Sequence, residues 1–426
     1  MTTASPRKVL IVNTSDSGGG AERISMALLN GFEALGTEAW MAVATKRTDD
    51  PRVVSFYESP HIHYTPDHPI RRARLSARRS LDDRIGLEDF NHPYTRHVTE
   101  LTGRRPDVLL CNNLHGGYFD LRRLPWLSLR MPIVLRLADS WAFTGHCAVP
   151  GACERWRTGC GSCPDLAAPP AIKRDASRLN WQRKRWIFAR SRISVVSPSR
   201  WMLDRVQRSL MAPAIVEARV IPNGVDLTNF CPEGPRAART EGTPRLVFAA
   251  NGGSANPHKD FKTLRAALRR LPGPVELISV GGRSGLEDLG GGIRIRHEPY
   301  QPPERLAAIY RSAEAYVHAS AEETFCLTAA EALACGTPVL AASAGGLGEV
   351  VDHERTGVVV APGDERALAA AMQRLLDDPR LRSRMSASAA AGRDRFDRDR
   401  MVHDSHALCA DALDASHDTH PATRPT

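Results

Sequence analysis

Lysine is scarce in this chain. Of its 57 basic residues only Lys8, Lys46, Lys173, Lys184, Lys259 and Lys262 are lysines; the rest are arginine, and the net charge is +9. Long hydrophobic runs are missing as well. No window approaches eighteen consecutive apolar residues, so no membrane-spanning helix is expected. The opening residues, MTTASPRKVLIVN, run straight into a strand pattern without an apolar segment and a small-residue cleavage site, and a cytoplasmic location is the default expectation. Nine cysteines among 426 residues are too few for a disulfide scaffold, and the cytosol would keep them reduced. The positive charge comes without any nucleic-acid recognition motif, so no nucleic-acid partner is expected.

What remains is an ordinary globular composition, 42% apolar and 25% charged, over a length that predicts two or three domains with sizeable cores. The most informative stretch is residues 322–338, EETFCLTAAEALACGTP. It follows AYVHA (315–319), which alternates like a strand. It then reads as a loop and a short helix, stopped by Gly336 and Pro338, before a further strand at 338–342. Strand–loop–helix–strand is the repeating unit of a parallel α/β sheet.

The same alternation runs through the chain. Residues 8–13 (KVLIVN) read as a buried strand, followed by a loop carrying Gly18, Gly19 and Gly20, a helix to about Leu35 and a strand at 38–44. That is the opening of a Rossmann-like half. Residues 45–102 are polar and show no clear pattern. Strands follow at 107–111, 132–138, 193–197 and 217–221, and helices at 176–189 and 200–210. An irregular cysteine-bearing stretch at 139–170 is long enough to suggest a functional loop. After a Gly- and Pro-rich linker at 231–243 a second alternation begins, with strands at 245–250, 275–280, 315–319, 338–342 and 357–360. Helices are expected at 262–270, 303–311, 365–376, 381–390 and 397–413, and a disordered tail from residue 417. The reading is α/β, with two doubly wound parallel-sheet domains facing each other across a cleft: 1–222, 223–395, and a terminal helix and tail at 396–426 packing back on the first domain.

Glu323 and Glu331 bracket the start of the short helix. Its first-turn amides attract anions, and eight helical residues span about 12 Å. One carboxylate could then meet a ribose and the other a hexose, with a diphosphate between them. A surface pair of glutamates is the plainer alternative, but the small apolar residues between them and the position at the end of a strand weigh against it.

These residues carry a resemblance. The stretch resembles the E-x7-E signature of retaining nucleotide-sugar glycosyltransferases of GT-B architecture, glycosyltransferase family four in particular. Further stretches match the same family: Gly18-Gly19-Gly20-Ala21-Glu22-Arg23, Ser197-Pro198-Ser199, Ile221-Pro222-Asn223-Gly224-Val225-Asp226, Gly336-Thr337-Pro338-Val339 and Gly345-Gly346 with Glu349-Val350-Val351. They span most of residues 8–410. The resemblance implies that Glu331 holds the ribose hydroxyls and Glu323 the transferred sugar. It implies that amides near Phe325, Cys326 and Leu327 bind diphosphate and sugar, that Lys259 neutralises the diphosphate with Lys262 beside it, and that Gly18, Gly19 and Gly20 let the backbone approach donor or acceptor. No divalent metal is needed for catalysis in this scheme. The first domain would bind a glycan or lipid-linked acceptor and the second the nucleotide sugar, for polysaccharide assembly. A GT-B isomerase (an epimerase acting on the nucleotide sugar alone) is the alternative.

The chain departs from the family in three places. Asp260 follows Lys259 where glycine is usual, no arginine stands in 251–258, and Ala138 occupies a common histidine position. Asp139 remains to orient an acceptor hydroxyl, with His115 and His146 as substitutes or as structural histidines. Cys147, Cys153, Cys160 and Cys163 lie within seventeen residues and end in C-x-x-C. They can supply a tetrahedral thiolate site for structural zinc, or pack a loop as reduced thiols. The basic run at 173–192 interleaves Trp181, Trp186 and Phe188 with arginine. It reads equally as a helix docking peripherally on anionic lipid at the inner face of the cell membrane or as a solvated helix with its aromatics in the core.

Overall fold

The computed structural model describes residues 6–59 and 69–419. The chain divides into two units. One comprises the residues up to Ile221 together with those from Val402 onward, the other Pro222–Met401.

The first unit holds seven strands: β1 (Lys8–Ser15), β2 (Glu38–Thr45), β3 (Val53–Ser55), β4 (Val108–Cys111), β5 (Ile133–Arg136), β6 (Ile193–Ser197) and β7 (Ile215–Val220). They form one sheet in the order β3-β2-β1-β4-β5-β6-β7, and every neighbouring pair is parallel. The central strands are runs of valine, leucine and isoleucine buried along their length, as expected where helices cover both faces. Those helices are α1 (Gly20–Ala34), α2 (Pro69–Ile85), α3 (Leu124–Ser128), α4 (Ser177–Phe188) and α5 (Arg200–Gln207). The patternless stretch at 45–102 therefore contains an edge strand and a long helix. Its helix α2 is mostly arginine, aspartate and serine, and its described side chains are nearly all exposed, so it carries no apolar stripe to mark it in the sequence.

The second unit also has seven strands: β8 (Arg245–Ala249), β9 (Val275–Val280), β10 (Gly285–Gly290), β11 (Ile293–Glu298), β12 (Ala315–Ala319), β13 (Val339–Ala342) and β14 (Gly357–Val360). Their order is β10-β11-β9-β8-β12-β13-β14. The expectation of a wholly parallel sheet is corrected at one edge, where β10 runs antiparallel to β11. Gly290, Gly291 and Gly292 all have positive φ, and this makes the tight reversal between them. The helices are α6 (Phe261–Leu268), α7 (Pro303–Arg311), α8 (Leu327–Ala334), α9 (Leu347–Val350), α10 (Glu365–Asp377) and α11 (Pro379–Ala391). Two apolar cores fill the two faces of this sheet, one around α8 and one around α6 and α10.

The last helix, α12 (Arg398–Thr419), returns the chain to the first unit. Its His406 accepts or donates a 2.8 Å hydrogen bond to the Thr37 hydroxyl and meets the Phe32 ring edge-on at 5.4 Å. The helix runs into the stretch from residue 417 that the sequence reads as disordered; the remainder of that tail lies outside the described residues. Among the described residues no helix is long and apolar enough to cross a membrane.

Candidate active site

In an open α/β sheet, ligands bind beyond the carboxyl ends of the strands where the strand order reverses. In the second unit that point lies between β8 and β12, because β9 continues the chain to one side and β13 to the other. The loop after β8 carries Lys259 and the loop after β12 carries Glu323. A hydrogen bond from the Asp260 N–H to the Ala319 carbonyl, 3.0 Å, ties the two loop ends together. Asp260 then caps α6 through its side chain on the Thr263 amide. This local role is one that the glycine usual at the position could not fill.

Lys259 Nζ donates to Glu323 Oε1, and His318 Nε2, from inside β12, meets the same oxygen at 2.9 Å. The Glu323 side chain is only 12% exposed. Burial alone would push its pKa up, but the Lys259 charge and the two hydrogen bonds outweigh that and hold the carboxylate well below its usual range. The same pair raises Lys259 against the opposing effect of burial. No described residue donates to Glu323 Oε2, and that atom reaches solvent. The backbone of Glu323 is clamped too: its N–H donates to Ala344 and its carbonyl accepts from Gly346, closing a parallel bridge to Gly345.

His318 is fully buried, its ring near-parallel to the rings of Phe248 and Tyr316. Its Nδ1 lies 3.1 Å from the Tyr316 hydroxyl, which in turn lies 2.8 Å from Thr328 Oγ1 in the first turn of α8. Burial would lower the pKa of His318; the Cys326 sulfur and Glu323 outweigh it, and the ring is raised to about 9. His318, Glu323 and Cys326 are also the only His, Cys, Asp or Glu trio among the described residues with all ligand atoms within 4.8 Å. Lys259 on the same carboxylate opposes a cation there.

Phe325 and Cys326 are nearly buried at the head of α8, and Leu327 is its first residue. Cys326 sits in the left-handed region at φ 74°, so the chain turns sharply into the helix and its first amides face the loop that bears Glu323. Glu331, one turn later in the same helix, is fully buried, with Oε2 3.4 Å from the Tyr310 hydroxyl. Lys262 is exposed in the first turn of α6. Glu323 and Lys259 are thus in direct contact, while Glu331 is buried in α8 and Lys262 is exposed on α6.

The other sequence-predicted residues belong to the first unit, at its own reversal point between β1 and β4. Gly18 (φ 142°) and Gly19 lead into α1, which starts at Gly20. Asp16 pins this loop by accepting from the amides of Arg47 and Thr48 and from the Thr48 hydroxyl. Beyond β5, Asp139 Oδ2 meets His115 Nε2 at 2.7 Å, and Oδ1 accepts the Trp141 amide. Burial opposes the ionised form of each, but their mutual attraction raises His115 and lowers Asp139. His115 therefore stands beside Asp139 as the near histidine that Ala138 does not provide. His146 is elsewhere.

His146 faces the cysteines. It lines a small pocket of about 20 Å³ together with Cys147, Cys153, Cys160 and Cys163. Its Nδ1 donates to the Pro170 carbonyl at 2.9 Å, which turns Nε2 toward Cys163 Sγ at 3.3 Å. That orientation is the one a metal-binding histidine takes. The ligand types suit zinc, but the atoms are not drawn into a closed tetrahedron, since no trio among them meets within 4.8 Å. In α4, Trp181 and Phe188 are core residues, whereas Trp186 is 53% exposed with Arg190 stacked over it. His318 and Asp16 are the members of these sites that the sequence reading passed over. His318 was hidden in the apolar alternation of a strand, and only its identity as a polar residue at a buried position could have flagged it.

Two family models match this chain, Glycosyltransferase Family 4 over residues 18–229 and Glycosyl transferases group 1 over residues 241–391. The chain belongs to glycosyltransferase family 4. Among curated relatives of this family member, a D-inositol 3-phosphate glycosyltransferase of Xylanimonas cellulosilytica is 40% identical over 199 residues, 42% of this chain and 47% of that protein. The putative colanic acid biosynthesis glycosyl transferase WcaC of Escherichia coli is 27% identical over 282 residues, 62% of this chain and 65% of that protein. The chain spans about half to two-thirds of the length of these relatives. Among solved structures, the sucrose-phosphate synthase of Thermosynechococcus elongatus superposes with a TM-score of 0.63 at 20% identity, covering 96% of this chain and all of that one. The Anabaena protein HepE in complex with UDP-glucose gives 0.60 at 19%, covering 96% and 99%. At these identities the likeness establishes the fold, which is GT-B.

Proposed function

We propose that this protein transfers a hexosyl group from a nucleotide-diphosphate sugar to a saccharide or lipid-linked saccharide acceptor with retention of configuration. The observation that supports this best is the ionised Glu323 held by Lys259 and His318 beside the head of α8. Family membership and the UDP-glucose held by the fold neighbour HepE agree with it. In this reading Glu323 Oε2 takes a hydroxyl of the transferred sugar. Lys259 and the positive end of α8 face the diphosphate, so negative charge that develops on the leaving group is met by groups already in place. The sugar bond loosens toward an oxocarbenium-like state, and the acceptor hydroxyl enters from the same face and gives its proton to a phosphate oxygen. Glu331 is assigned to the ribose and Asp139, with His115, to the acceptor.

The test is a thermal-shift panel of UDP, GDP, ADP and TDP on the full chain, followed by their hexose conjugates. A saturable shift with one nucleoside diphosphate, and sugar transfer that Lys259→Ala reduces by more than a hundredfold, is the expected result. No shift with any of the four would overturn the reading. An isomerised nucleotide sugar formed from donor alone, with no net release of nucleoside diphosphate, would point to the isomerase instead.

For the cysteine pocket we propose a structural zinc, held by thiolates of Cys147, Cys153, Cys160 and Cys163, which stiffens the loop and takes no part in the chemistry. Metal analysis of protein purified without chelator should return one equivalent of zinc; four thiols titrating freely with no metal would refute it. For α4 we propose peripheral contact with anionic membrane, because Arg178, Leu179, Arg185 and Trp186 are exposed on it and Arg190, just past its end, stacks on Trp186. Co-sedimentation with phosphatidylglycerol vesicles, lost in Trp186→Ala and absent with phosphatidylcholine alone, is the expected pattern.

A further inference from the structure

We infer that His318 is a positioning residue that holds the Glu323 carboxylate in place when Lys259 turns to the donor diphosphate. This rests on the reading of the second unit as the donor site. Three features of the geometry carry it. First, Lys259 and His318 share a single oxygen, Oε1, and leave Oε2 to the solvent. A lysine that also neutralises a diphosphate divides its three N–H donors and its single charge between the phosphate and Glu323, so its hold on the carboxylate weakens. A partly buried carboxylate then needs another donor to remain ionised and oriented.

Second, His318 is placed to be that donor and is held at both ring nitrogens. It lies fully buried inside β12, its ring near-parallel to those of Phe248 and Tyr316 at centroid distances of 6.2 and 6.0 Å. Its second nitrogen is anchored on the Tyr316 hydroxyl, which lies within hydrogen-bond distance of the Ala249 carbonyl and the Thr328 hydroxyl. The chain Glu323–His318–Tyr316–Thr328 therefore ties the carboxylate to the first turn of α8, the same element whose amides face the diphosphate. Sugar and phosphate recognition are held to one rigid frame.

Third, the charge balance fits. The groups that face His318 are Glu323, Cys326, Tyr316 and Lys259. With Nε2–H on Glu323 and Nδ1–H on Tyr316 the ring is an imidazolium, so the carboxylate keeps one cationic partner after Lys259 leaves it.

The experiment compares His318→Leu and His318→Gln with the wild-type full chain. The readouts are the thermal shift with UDP, and kcat and KM for UDP release from UDP-glucose. If another nucleotide wins the panel above, it and its hexose conjugate replace these probes. His318→Gln keeps a donor to Glu323 without the charge. The expected result is an unchanged shift with the nucleoside diphosphate in both variants, a kcat reduced by more than a hundredfold in His318→Leu, and recovery to within about tenfold of wild type in His318→Gln. Wild-type kcat should also fall as pH rises through about 9, and this limb should be missing in His318→Gln. Wild-type kcat in His318→Leu would overturn the inference, as would loss of nucleoside-diphosphate binding in step with kcat in both variants. Should His318→Leu not fold, equal kcat and an unaltered pH limb in His318→Gln would overturn it alone. Failure of the wild type to bind any nucleoside diphosphate would strike the donor-site reading, an outcome distinct from all of these.

Discussion

Oε1 of Glu323 is met by two cationic side chains in a largely buried place, so one atom governs both the charge state and the stability of this loop. Removing the negative partner of such a cluster costs more than the net worth of its contacts, because the cations are left buried and uncompensated. Glu323→Gln is therefore expected to lower Tm as well as abolish transfer. Lys259→Met, which leaves the carboxylate with His318, should abolish transfer with a smaller loss of Tm; calorimetry on the two variants checks the order. The pH dependence has a definite sign. His318 is raised from 6.5 to about 9 on folding, so its contribution is fully present below about 6.5 and is lost as pH rises through about 9. Urea unfolding across that window should show wild-type stability falling by on the order of 3 kcal/mol more than that of His318→Gln. Glu323 is depressed on folding and acts in the opposite direction: its contribution is present at neutral pH and is lost as pH falls below the ordinary carboxylate range.

At the scale of elements, the loop after β12 is held by one backbone contact that only glycine permits. Gly345 has φ +91°, and a Cβ there would lie 2.4 Å from the Glu323 carbonyl oxygen. Gly345→Ala must push the two segments apart at the very residue whose side chain binds Lys259. The expected outcome is a loss of transfer of at least tenfold while nucleoside-diphosphate binding at the α8 end persists; equal activity would show that the bridge does not position Glu323. The sequence made α8 readable because LTAAEALA ends at Gly336 and Pro338, and it made the β-strands readable because they are continuous apolar runs. β11, whose IRIR alternates as a strand does, was passed over, and the sequence did not reveal β10 (GLEDLG), an edge strand with two adjacent acids between terminal glycines, or α2, which is rich in arginine and largely exposed. Nor did it reveal Cys326 in the left-handed region or the His318 relay. Those depend on which side chains a fold brings together, and no local pattern encodes that.

At the scale of the whole molecule, the scarcity of lysine gives chemistry a handle on the site. Lys259 is one of only six, and in this structure its ammonium is engaged by Glu323. Modification by an amine reagent should be slow at Lys259 and should change when a nucleoside diphosphate is added, which peptide mapping would read. The first unit depends on a segment remote in sequence: Gly31 of α1 lies so close to α12 that a Cβ would come within 2.4 Å of a Val402 methyl. Gly31→Ala usually stabilises a helix by roughly 1 kcal/mol. Here it should destabilise, because β-branched Val402 is stiff and cannot turn away. Gly31→Ala combined with Val402→Ala should recover the loss, a coupling that thermal melts of the four proteins would measure.

That contact also sets an order in time. The ribosome makes α1 before the second unit, but its partner surface on α12 begins at residue 402, after the whole of that unit has been made. Throughout synthesis the Gly31 and Phe32 face of α1 has nothing from α12 to cover it. A chaperone that engages apolar nascent helices would therefore find a target there while the second unit is being made, and release should follow the emergence of Val402 from the ribosome.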